Sequence, residues 1–163
     1  MKKFELTSET KVVFGHTLHR IRALVSFGVV SEGELGGWIE KEWNLNQSGN
    51  ALVYGNARVY GDAWVYGNAR VYGDARVYGK ESIFWIGAVG SRNGTTTFFM
   101  CKDKKIRVSC GCFYGDLDEF AEKVKKTHGD NQYAKVYMLA IEMAKARINL
   151  DAIPDDEEEI HEP

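Results

Sequence analysis

The sequence predicts an α+β, mainly β protein. A short parallel β-helix forms its centre, a β segment caps the start, and an antiparallel meander with two helices follows. Three observations carry this expectation. Between Val53 and Gly79 one six-residue phrase recurs as VYGNAR, VYGDAW, VYGNAR, VYGDAR, VYG. An aliphatic first position and a small fifth position at a period of six is the pattern of hexapeptide β-helices. Asn93-Gly94 lies between the apolar run Ile83–Val89 and residues 95–100, which is the strongest short signal of a hairpin. Beyond Asp116 the apolar period changes to that of a helix.

If three hexads make one coil, residues eighteen apart lie above one another. Val53, Val71 and Val89 then form one stack, Val59 and Val77 a second, and Val65 and Ile83 a third. Stiff β-branched side chains suit that narrow interior. The glycines take the turns, and Asn56, Asp62, Asn68 and Asp74 are turn residues that bond their own backbone. The outward positions stack Tyr54 on Tyr72, Tyr60 on Tyr78, Tyr66 on Phe84 and Arg58 on Arg76, with Trp64 and Arg70 on the other two sides. Such neighbours stabilise adjacent strands. Tyr54, Arg58, Trp64, Arg70, Tyr72 and Arg76 are also a candidate interaction face. Residues 47–52 read as a degraded hexad.

These features divide the chain into an N-terminal β capping segment (1–46), the β-helix (47–90), an α+β module (91–150) and an acidic disordered tail (151–163). Two coils leave two open ends that other segments must cover. Before the repeats, residues 17–27 have strand composition. Trp38 and Trp43 are candidate plugs for the first open end. After them, Ile83–Val89, residues 95–100 and residues 105–110 read as a three-stranded meander. Asp116 is an N-cap for a helix with Leu117, Phe120, Ala121 and Val124 on its apolar stripe, ended by Gly129. A second helix over residues 131–149 buries Tyr133, Val136, Tyr137, Ala140, Ile141, Ala144 and Ile148.

The net charge of −2 hides an asymmetry. Seven of the 23 acids fall in residues 151–163, which hold no Lys or Arg, so 16 acids stand against 21 bases elsewhere. That tail reads as solvated, or as an element that folds back on the basic body. No apolar run reaches the length of a membrane span, and the first residues lack the apolar stretch of a signal peptide. Three cysteines, Cys101, Cys110 and Cys112, suggest reduced thiols in a cytoplasm.

Reactive residue types gather once, at Cys110, Cys112 and His128, where a thiolate beside an imidazole could act as a nucleophile. No metal site is expected. His16 and His19 fall on opposite faces of a strand, and the cysteines are spaced C-x-C where structural zinc favours C-x-x-C. Buried structural thiols are the commoner fate. The hairpin tip with Arg92, Asn93, Thr95 and Thr96, joined by Lys104 and Arg107, offers the donors an anionic, nucleotide-like ligand needs.

The VYGNA and VYGDA repeats resemble those of hexapeptide-repeat proteins, which implies a left-handed β-helix. That superfamily holds many acyltransferases, usually trimers with a catalytic histidine on the coil. No histidine occurs between Arg20 and Thr127 here, so the coil offers no such general base. A wider resemblance runs through LHRIRALVSFGVVSEGELGGWIEKEWNLNQSGNA, WIGAVGSRNGTTTFF and VSCGCFYGDLDEFAEKVKKTHGDNQY. These segments are similar to small bacteriophage and prophage proteins described as hexapeptide-repeat or polymer-forming. The resemblance implies expression in a bacterial host cytoplasm. The expectation is a non-catalytic phage accessory protein, without cofactor, that blocks a host factor as an anti-defence protein. Its partner is a host protein or an immune nucleotide signal. Homo-oligomers are expected because two coils are a small core. An acyltransferase-like or Cys/His-dependent enzyme and a self-assembling structural protein are the alternatives.

Overall fold

The computed structural model describes residues 1–151. Phe14 and Gly15, both at positive φ, turn the chain between β1 (Phe4–Val13) and β2 (His16–Ala23), which pair antiparallel. β1 went unpredicted because its polar residues mask the alternation. β2 also pairs with β3 (Leu35–Ile39), with a register shift between Arg20 and Arg22. Leu18 and Ile21, on opposite parities of one strand, are buried on opposite faces, Leu18 with Val13, Trp38 and Tyr60 and Ile21 in the core of the parallel rungs. Gly36 and Gly37 make β3 possible, since a Cβ at either would lie 2.8 Å or less from the Val53 or Ala57 rung.

β3 is the first parallel rung, although the sequence assigns it to the cap. Ile39 pairs with Val59 of β5 (Arg58–Val59), and Val59 with Val77 of β7 (Arg76–Val77). On a second side β4 (Leu52–Val53) pairs with β6 (Arg70–Val71). On the third, Leu45 bridges to Val65. Spacing is eighteen residues along the repeats and twenty in the first turn. The two extra residues sit between Leu45 and Val53, where the degraded hexad was read. The Gln47 side chain and the Lys3 ammonium, donating to the carbonyls of Gly49 and Ala51, pin that segment to the start of β1. The inward valines share one core with Phe4, Ile21, Ile39 and Leu45 at one end and Ile83, Phe99 and Cys101 at the other.

Phe4 and Ile21 therefore cap the first end. Trp38 faces outward under β1 and β2, and Trp43 is 49% exposed, so neither expected plug serves. Val89 does not stack on Val71; it belongs to a second core. Ile83 keeps the phase of Val65, but its backbone has switched partners. There β8 (Ile83–Val89), β9 (Gly94–Met100), β10 (Ile106–Cys110) and β11 (Phe113–Asp116) form a four-stranded antiparallel sheet. β11 is one strand more than the sequence indicated.

β9 is buried on both faces. Phe99 enters the coil core, while Phe98 and Met100 join the core beneath α1 (Leu117–His128) and α2 (Gln132–Arg147). Asp116 and Asn131 cap the helices by accepting from the amides of Glu119 and Ala134. Tyr133 lies on the outer surface of α2, and Ala134 takes its place in the core. Mainly β with two helices is thus the observed class. No helix among the described residues is long and apolar enough to cross a membrane. The expected acidic tail, apart from Asp151, lies outside the described residues.

Candidate functional site

Strand pairing builds a basic row across the outside of the first coil. Arg20 of β2 is opposite Trp38 of β3, Trp38 is beside Arg58 of β5, and Arg58 is beside Arg76 of β7. Neighbouring strands are about 4.8 Å apart, so the row spans about 14 Å. Alternation directs these four side chains away from the core that receives Ile39, Val59 and Val77. Lys11 reaches over from β1. Its Nζ lies 4.0 Å from the centroid of the Trp38 ring, and the Arg20 guanidinium carbon lies 5.7 Å from it. Two cations on one indole are held by the ring quadrupole.

The sequence placed Arg58 and Arg76 on an exposed face. They are 2% and 3% exposed. The Arg76 Nη1 donates to the carbonyls of Asn56 and Ala75, both at 3.1 Å. Lys11 and Arg20 form the accessible rim. Burial pushes the Lys11 ammonium down to about 8, helped by the charges of Arg58, Arg76 and Arg20, with Glu9 opposing. A wall of rings closes one side: Tyr60 is fully buried, 5.3 Å from Tyr78 and 5.2 Å from His16. His16 in turn is paired with Glu40. Guanidiniums bind anionic oxygens through a two-pronged fork, and an ammonium adds a point charge. The chemistry this row can perform is anion recognition.

The other predicted face residues diverge. Tyr72 packs 4.9 Å from Tyr114 on the C-terminal sheet. The Arg70 amide donates to the Thr97 hydroxyl. Tyr54 and Trp64 are exposed, and Tyr66 meets Trp64 at 4.2 Å and Trp85 at 4.7 Å, not Phe84.

The ligand site predicted at the hairpin tip is not assembled. Arg92 and Asn93 lie in the β8–β9 turn, whereas Lys104 and Arg107 lie at the β9–β10 turn and on β10. The length of β9 separates the two groups by about 20 Å at about 3.4 Å per residue. Thr95 is partly exposed beside Arg92 and Asn93, but Thr96 is buried and donates to the Cys110 sulfur. Antiparallel strands bring residues together only at the same end of the ladder, and the sequence reading had joined opposite ends.

Arg107 belongs to another feature. A cavity of about 430 Å³ at the junction of coil and sheet is lined by Asp74, Cys101, Lys102, Asp103, Arg107 and Tyr114. Arg107 donates to Asp103 at 2.6 Å, while its buried Nη1 has no hydrogen-bond partner among the described residues. Burial works against the Asp103 charge, but the bonds from Arg107 and from the Lys105 amide hold its carboxyl below the usual range. Burial pushes the Cys101 thiol up to about 11 and raises the Tyr114 phenol as well. Both stay protonated at neutral pH, and a thiol reacts as its thiolate.

The Cys110, Cys112 and His128 arrangement also comes apart. Cys110 ends β10 while Cys112 sits exposed in the β10–β11 turn, so they do not share a strand face. The Cys110 sulfur lies 3.7 Å from the Tyr137 hydroxyl, and the His128 ring stacks 5.9 Å from the Tyr137 ring. Tyr137 takes a contact from each, and burial, then the Cys110 bond, pushes its phenol up to about 12. Among the described residues no three His, Cys, Asp or Glu side chains form a group able to hold a metal ion.

Comparison with known proteins bears on the coil. A family model described as YdcK beta solenoid repeat matches residues 48–61, 51–67 and 69–80. The repeats are similar to β-solenoid repeats. The matched segments cover the solenoid rungs β4 to β7 and less than half of the chain, and they leave out Lys11, Arg20 and Trp38. No curated protein matches the sequence. Lys11, Arg20 and Trp38, which complete the row, were missed as site residues because only the β1–β2 hairpin and its pairing through β3 bring them toward Arg58.

Proposed function

We propose that the protein is a non-catalytic phage accessory protein that acts in the host cytoplasm by holding an anionic partner. Its repeats form a short left-handed solenoid that serves as a rigid support. The observation that carries this reading is the Arg20–Trp38–Arg58–Arg76 row with Lys11 above it. Three guanidiniums spread over about 14 Å, with Lys11 above the indole between them, suit an extended anionic chain better than a single phosphate. An acidic segment of a host protein is the partner this geometry favours, which makes blocking of a defence protein the expected biological role.

Side-by-side capture from host lysate with the wild type and a Lys11→Gln/Arg20→Gln variant tests the reading. The wild type should retain a partner that salt releases, because exposed charge contacts are screened, and the rim variant should not. Equal retention by both proteins at all salt concentrations would sink it.

A second reading, self-association, draws on the Trp64–Tyr66–Trp85 stack. Trp64 and Tyr66 are exposed and in ring contact outside both main cores, and aromatic surface of this kind is enriched at interfaces. Native mass measurement on wild type and Trp64→Ser separates a discrete oligomer from a monomer.

A further inference from the structure

We propose that the chain supplies its own occupant for the basic row, the acidic segment 152–163, so that an external anionic partner must displace it. The inference rests on reading the row as an anion site.

Charge is the first argument. Residues 152–163, AIPDDEEEIHEP, hold six carboxylates and no Lys or Arg. Of the charged side chains acting on Lys11, three are guanidiniums and one is a carboxylate. Position is the second. The described chain ends within reach of the row: the Asn149 amide donates to the Glu81 carbonyl at 2.8 Å. Glu81 stands five residues after Arg76, and Tyr78 between them belongs to the ring wall beside the row. Reach is the third. Six residues separate Asn149 from Asp155, about 20 Å when extended, against at most about 17 Å from Glu81 back to Arg76. Asp155 to Glu159 can therefore span the row.

Spacing agrees. Rungs are about 4.8 Å apart, and alternate residues of an extended segment are about 6.8 Å apart. Five consecutive acids, Asp155 to Glu159, place a carboxylate near each guanidinium in more than one register. Tethering raises the local concentration of the segment to the millimolar range, enough to compete with a free ligand of the same chemistry. The device would keep the row occupied until a longer or more highly charged partner arrives.

The test compares the full wild-type chain with a full chain carrying Asp155→Asn, Asp156→Asn, Glu157→Gln, Glu158→Gln and Glu159→Gln. The probes are a fluorescent peptide of residues 152–163, read by anisotropy at low ionic strength, and inorganic tripolyphosphate, read by calorimetry. The neutralised chain should bind the peptide at least about tenfold more tightly than the wild type, and Lys11→Gln/Arg20→Gln added to it should abolish binding. Equal peptide binding by wild type and neutralised chain overturns self-occupancy and leaves the anion site standing. Binding of tripolyphosphate but not peptide also overturns it and assigns the row to phosphates. A neutralised chain that binds neither probe removes the anion site itself.

Discussion

At the scale of single residues, Lys11 is the most informative group because its charge is the one in the row that changes within reach of neutral pH. Around it stand the guanidiniums of Arg20, Arg58 and Arg76, a side chain that keeps its charge in proteins, with the Glu9 carboxylate opposing them and the neutral Trp38 ring between. With Lys11 held down to about 8 by burial and those guanidiniums, an anion meets four cations below pH 8 and three above it. Affinity for an acidic peptide should be full at pH 7 and fall as pH rises through 8 to 9. Binding should in turn raise the Lys11 pKa, since linkage is reciprocal. A Lys11→Arg variant should bind equally at pH 7 and pH 9. Anisotropy titrations at both pH values check this, and an equal fall in wild type and variant would place the titrating group elsewhere. This residue was not legible beforehand. The phrase VYGNAR announces that Arg58 and Arg76 stack. Nothing in it says that a hairpin from forty or more residues earlier lays Lys11 across them.

At the scale of elements, the coil was the most legible part because a period of six with inward valines admits few structures. Its limits were not legible. Both ends are set by chain segments without the repeat, β3 at the start and the switch to antiparallel pairing at Ile83. β11 escaped notice because four residues between a turn and a helix leave no room for alternation. The repeat glycines look identical in sequence but not in space. Gly61 and Gly67 have φ of 65° and 64°, yet a Cβ on Gly61 would lie 2.1 Å from the Tyr78 carbonyl oxygen, and one on Gly67 would meet nothing within 4 Å. Gly67→Ala should therefore cost only the left-handed backbone penalty, about 1–2 kcal/mol. Gly61→Ala adds a clash with backbone that cannot rotate away, about 1–3 kcal/mol more. Urea denaturation of the two variants checks the order, and equal costs would show that the rungs at Gly61 and Tyr78 do not approach as described. The core of the same element makes a parallel case. Val59→Ala removes two buried methyl groups from between Ile39 and Val77, at about 2 kcal/mol by the same assay.

At the scale of the whole molecule, the question is whether coil and C-terminal sheet unfold together. Beside the Arg70–Thr97 hydrogen bond and the Tyr72–Tyr114 packing, several contacts join them: Ala75 bridges Cys101, the Lys102 amide donates to the Asp74 carbonyl at 2.9 Å, and Phe99 sits in the coil core while its neighbours Phe98 and Met100 sit in the other. The run of buried residues in β9 was read as the middle strand of a meander. A strand buried on both faces is apolar throughout, so the sequence could show the burial but not that two cores share it. Cys101 reports on this junction, being buried in the coil core with its thiol pushed up to about 11. Cys112 is exposed and Cys110 partly so. A thiol reagent at pH 8 should modify Cys112 at once and Cys110 more slowly. Cys101 should be modified only through global unfolding, since neither access nor thiolate is available in the native fold. Adding Val59→Ala, far from Cys101 but in the same core, should accelerate Cys101 labelling in proportion to the lost stability when reclosing outpaces modification. Cys101 labelling that ignores Val59→Ala would mean that the sheet opens while the coil stays intact, and the two cores would then be separate cooperative units.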